Sequence, residues 1–105
     1  MKEPKVVFSD LAVADVLAQA DWYELRSDYK LATRWERAVT TSLLRIVRMP
    51  RAGTPCSFKS EELREIRRLH VAGFPHLIFY RFHDHEIQVL RVLHGVRDLD
   101  RLLSE

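Results

Sequence analysis

The 105-residue sequence predicts an α+β fold: a small antiparallel sheet packed against an αα-hairpin and closed by a short C-terminal helix, in the order β-α-α-β-β-β-α. Three observations predict it. Leu31, Trp35, Ala38, Val39, Ser42, Leu43 and Ile46 recur at helical spacing. A second helix-prone stretch precedes them, separated only by the cap signal Ser27-Asp28, and so short a break implies a hairpin. Finally, three apolar runs follow residue 63, divided by turn signals at Ala72-Gly73 and His83-Asp84-His85.

"KVVF" (5–8) reads as a short strand. Ser9 and Asp10 are good N-caps, because their side-chain oxygens accept the orphan N–H groups of a first turn. The Ala-rich stretch 11–25 forms the first helix, with Val13, Val16, Leu17 and Ala20 on its apolar face and the Trp22-Tyr23 pair read as core. The second helix must stop before Pro50, which clashes with a preceding turn. "RAGTPCSFKS" (51–60) has loop composition. Residues 63–70, 75–82 and 86–93 are strands of a meander, the middle one ("PHLIFYRF") apolar on both faces as a central strand should be. The first strand must join this sheet to bury its edge. Residues 98–103 form a terminal helix that Asp98 can cap, and Gly95 permits the strand-to-helix turn.

The length fits a single domain, residues 1–105, around one core. An apolar fraction of 47% and a charged fraction of 30% are those of a globular chain, and no apolar run is long enough to span a bilayer. "MKEPKVVFSD" has no signal-peptide h-region. The one cysteine, Cys56, rules out an internal disulfide, and a reducing cytoplasm is the expected location. The net charge of +2 is modest, but arginine far outnumbers lysine. Arginine's planar fork suits carboxylate and phosphate partners.

Two basic groups stand out. Arg34, Arg37, Arg45 and Arg48 line the side of the second helix opposite its apolar face. Arg64, Arg67, Arg68, Arg81 and Arg91 lie on the strands, Arg67 facing away from Arg64 and Arg68. Arg81 and Arg91 on adjoining strands can meet if the register allows, which would require an anion between them. A third cluster, His94-Gly95-Val96-Arg97-Asp98, falls at the last corner. Its imidazole is a possible general acid or base and Arg97 a possible phosphate stabiliser; alternatively the segment is a helix-capping turn. His83 and His85 lack the further ligands of a metal site, and neither a metal nor a cofactor is expected.

The element order, "PHLIFYRF" and above all "LRVLHGVRDL" (90–99) resemble the ParE branch of the RelE/ParE toxin superfamily. The resemblance implies the toxin of a bacterial type II toxin–antitoxin system. Its partners would be a cognate antitoxin, through which alone it meets operator DNA, and DNA gyrase. Antitoxin or target would contact Arg34, Arg37, Arg45, Arg64, Arg67, Arg68, Arg81, Arg91 and Arg97, with no catalytic residue. The alternative is a RelE-like ribosome-dependent endoribonuclease, with ribosome and mRNA as partners and Arg81, His94 and Arg97 as its catalytic set. Against it, Leu77 stands where such members carry an arginine three residues before a tyrosine matching Tyr80. Leucine offers no charge to a phosphorane.

Overall fold

In a computed structural model, residues 2–26, 29–58, 61 and 64–95 are described. The elements are β1 (Lys5–Phe8), α1 (Asp10–Arg26), α2 (Tyr29–Arg48), β2 (Thr54–Pro55), β3 (Ile66–His70), β4 (His76–His83) and β5 (Glu86–His94). The expected cap at Ser27-Asp28, the helix over 98–103 and Arg97 lie outside the described residues.

The five strands run in the order β1-β5-β4-β3-β2. The sheet is mixed, which corrects the wholly antiparallel expectation: β1 lies parallel to β5, with Lys5 opposite Glu86 and Phe8 opposite Val89. The helical hairpin and the meander intervene between them, and so long a connection lets the chain re-enter in the parallel sense. A second correction is β2, two residues inside the predicted loop that pair antiparallel with Arg67 and Arg68. Pro55 is tolerated there because β2 is an edge strand.

Both hairpin helices cover one face of the sheet. α2 buries Ala32, Trp35, Val39, Ser42 and Ile46, the periodic residues and their neighbours. On α1 the expectation holds for Ala20, which is buried, and for Val16 and Tyr23, which are half-buried against the core; it fails for Val13 and Leu17, which are exposed, while Ala12 is buried instead. Small side chains let α1 approach its neighbours closely, and its larger aliphatics turn outward. Trp22 is half exposed, while Tyr23, one residue on and so about 100° around the helix, packs against Trp35 and Phe74. On the other face of the sheet a smaller cluster gathers Ile66, Phe79 and Leu93 with the half-buried Phe58, Leu77 and Leu90.

The Ser9 hydroxyl accepts the Ala12 N–H at 3.0 Å, as an N-cap should, and donates to the Leu90 carbonyl at 2.6 Å. One side chain thus starts α1 and ties it to β5. The β4–β5 hairpin closes through Asp84 and His85, both at positive φ (50° and 59°), the twist a two-residue turn needs to match its strands.

Candidate functional site

β5 outruns β1. Beyond Val89 its edge has no strand neighbour, and α1 supplies the missing partners. Asp15 Oδ2 accepts the Val92 N–H at 3.0 Å and Arg91 Nε at 2.8 Å, while Oδ1 accepts Arg91 Nη2 at 2.9 Å. A β-bulge makes this possible. Phe79 pairs with Arg91 but Tyr80 pairs with Val89, so Leu90 is an extra residue and the next side chain is re-aimed. Arg91 therefore sits opposite Phe79, with its guanidinium drawn to α1. Arg81 lies across from Gln88 and Ile66 instead, so the two arginines do not face one another.

Beside this ion pair lies a cleft of about 610 Å³ between α1 and the ends of β4 and β5. Ala18, Trp22, Pro75, His76 and His94 line it. His76 is buried, stacks 4.5 Å from Trp35 and donates from Nε2 to Gln19 Oε1 at 3.1 Å. His94 meets it edge-on at 5.2 Å. Gly95 leaves β5 at φ +54°, a left-handed turn that favours glycine. The cleft continues into an exposed apolar stripe on α1: Leu11, Ala14, Ala18, Trp22 and Leu25, which fall on one side at 100° per residue. Sequence reading missed this stripe because α1 is apolar on two sides, and periodicity alone does not say which is covered.

The remaining arginines are dispersed. Arg67 Nη1 donates to the Gly53 and Arg51 carbonyls at 2.8 and 3.2 Å, latching the α2–β2 turn. Arg64 and Arg81 come together, Arg81 Nε donating to the Arg64 carbonyl at 3.1 Å; Arg64 also forms a solvent-exposed ion pair with Glu61. Arg68 lies near Cys56, whose thiol burial pushes up despite that neighbouring charge. Arg34, Arg37, Arg45 and Arg48 all project from the exposed side of α2. Arg81 and His94 are far apart: His94 pairs with His76, five residues along β4 from Arg81, roughly 17 Å, and on the opposite face.

Behind the Arg67 latch stands Tyr80, fully buried. Its hydroxyl accepts the Gly53 N–H and donates to the Pro50 carbonyl, both at 2.8 Å. A Cβ on Gly53 would lie 2.6 Å from that hydroxyl and 2.9 Å from the Arg68 carbonyl, so only glycine fits. Burial pushes the Tyr80 hydroxyl above its ordinary value, with Gly53 and the charges of Arg67 and Arg45 pulling back. Because the folded value is the higher, this contribution to stability is intact below about pH 10 and is lost as pH rises through the folded value. Urea midpoints of the wild type should fall above about pH 10 more steeply than those of Tyr80→Phe. At neutral pH Tyr80→Phe should cost about 1–3 kcal/mol, having orphaned a buried N–H. Parallel pH profiles for the two proteins would contradict this.

Taken together, the described residues present an apolar cleft and stripe on one helix and a cationic stripe on the other. They include no group of three or more His, Cys, Asp or Glu side chains placed to hold a metal. No described helix is long and apolar enough to cross a membrane. Residues 6–99 match the family profile described as the ParE toxin of the type II toxin–antitoxin system parDE, and the chain belongs to that family. Its fold is similar to that of a solved chain from the "Chromosomal ParDE TA system from P. aeruginosa", with a TM-score of 0.73 at 18% identity, covering 89% of this chain and 97% of that one. No curated protein sequence matches.

Proposed function

We propose that this ParE-family toxin acts by binding and inhibiting DNA gyrase, without a reactive centre of its own, and that a cognate antitoxin neutralises it. One observation supports the choice over the nuclease: Arg81 and His94, two of the three residues of the alternative set, stand at opposite ends of β4–β5 and on opposite faces. Leu77, at the position where ribosome-dependent relatives are expected to hold arginine, supports the same reading. The antitoxin's place is the cleft and the α1 stripe, where an amphipathic helix would bury Leu11, Trp22 and Leu25. The similar P. aeruginosa chain comes from a ParDE toxin–antitoxin system, which is consistent with an antitoxin partner here.

The test is a supercoiling assay with purified gyrase. The toxin should block supercoiling, antitoxin should relieve the block, and mRNA should stay intact during growth arrest. Codon-positioned mRNA cleavage with normal supercoiling would refute the proposal. Trp22 is the expected hot spot for the antitoxin, and Trp22→Ala should weaken capture by about 30-fold, or about 2 kcal/mol, in a calorimetric titration.

A further inference from the structure

The modest net charge conceals a strongly polarised hairpin. α1 carries four acidic residues and one basic; α2 carries five basic and one acidic. On α2 the five bases are not scattered. At 100° per residue, Lys30, Arg34, Arg37, Arg45 and Arg48 fall within about 80° of arc, on the side away from Trp35, Val39 and Ile46. All five are exposed. Thr41 fills the gap in the row with a hydroxyl, and Glu36 lies about 100° or more outside it. From Arg34 to Arg48 the row runs about 21 Å along a continuous helix.

Like charges three and four residues apart repel. None of the ion pairs among the described residues uses a member of the row. Among the described residues the row is left as an uncompensated cationic surface, suited to an anionic partner. We infer that the α2 arginine row is a docking surface for the phosphate backbone of double-stranded DNA.

Three features favour this partner over an acidic protein or a single strand. Protein interfaces are anchored by buried aromatic and aliphatic residues, and the row has none, with only Leu44 at its margin. The exposed apolar side chains of the hairpin are concentrated on α1 instead. Single-strand binders stack bases on aromatic residues, and Trp35, the one aromatic inside α2 beyond its first residue, is fully buried. A rigid, straight row of guanidinium forks with a hydroxyl among them is what backbone contacts to a duplex use, and duplex DNA offers about one charge per 1.7 Å of axis. This surface lies apart from the α1 cleft, so the toxin would touch DNA directly, in addition to any contact through its antitoxin.

The experiment is fluorescence anisotropy of the intact toxin on a labelled duplex of arbitrary sequence, titrated between about 50 and 200 mM salt, with single-stranded RNA and purified antitoxin as parallel arms. Four engaged arginines should give a slope of log affinity against log salt of about −3 to −4. Arg37→Gln with Arg45→Gln should reduce the slope by about 2 and weaken binding at least tenfold at about 50 mM salt. The Lys versions of both should keep the slope, since charge sets it. Unchanged far-UV circular dichroism and urea midpoints in both pairs show that they are folded. Absence of salt-dependent duplex binding, a preference for single-stranded RNA, or a loss confined to antitoxin capture would each overturn the assignment. Gyrase inhibition is read separately, so failure there leaves this result standing and the converse holds too.

Discussion

Replacing Asp15 with alanine is expected to destabilise the protein by about 3 kcal/mol, measured as a drop in the urea midpoint at neutral pH. The side chains of Asp15 and Arg91 are only 15% and 24% exposed, and the carboxylate makes two bonds to the guanidinium and one to the Val92 N–H. Alanine removes the carboxylate that serves a largely desolvated positive charge and an edge N–H. Such a one-sided break costs far more than the pair contributes net, since desolvation has already been spent. Asp15→Asn tests the mechanism. Its amide oxygen can still accept from Val92 or Arg91 but carries no charge, so a loss of about 1–2 kcal/mol is expected. If alanine and asparagine variants both unfold within about 0.5 kcal/mol of wild type, Asp15 does not hold the β5 edge.

Trp35→Ala should cost about 3–5 kcal/mol. Trp35 is fully buried, with Tyr23, Phe74 and His76 ringed around it at 6.2, 5.2 and 4.5 Å, and its indole N–H donates to the Val16 carbonyl at 3.1 Å. Alanine leaves a cavity where α1, α2 and the sheet meet, and the Val16 carbonyl loses its second donor while keeping its bond within α1. In a domain of this size that is a large part of the total stability, so thermal unfolding should begin near ambient temperature. Trp35→Phe keeps most of the volume but not the N–H and should lose about 1–2 kcal/mol. The half-exposed Trp22 remains as a fluorescence probe, and Trp35→Phe should remove the blue-shifted component of the emission. An alanine variant with an unchanged midpoint would mean that this junction is not the centre of the core.

How far the chain can be read in advance depends on how one-sided each segment is. α2 is polar on one side and apolar on the other, so its buried face, its length up to Pro50 and its arginine row follow from spacing alone. β4 reads just as clearly, because a strand apolar on both faces has to be central. α1 misleads for the opposite reason. Alanines and leucines surround it, so the same periodicity is compatible with burying Ala12, or Val13 and Leu17, beside Val16 and Ala20. The candidate site suffers more. Arg91 looks like a surface strand arginine until the bulge at Leu90 turns it toward Asp15, 76 residues away in sequence. Arg67 looks alike and is a latch on two carbonyls.

The sequence by itself determined β1, the helical hairpin, the meander and the cationic side of α2. All of these depend on interactions among residues a few positions apart. Tertiary structure alone decided the parallel placement of β1, the closing of the β5 edge by Ser9 and Asp15, the separation of Arg81 from His94, and which side of α1 stays exposed. Each of those outcomes depends on strand register and on contacts between distant segments. A shift of one residue in register would reverse which face each strand side chain occupies, while the local pattern would read the same.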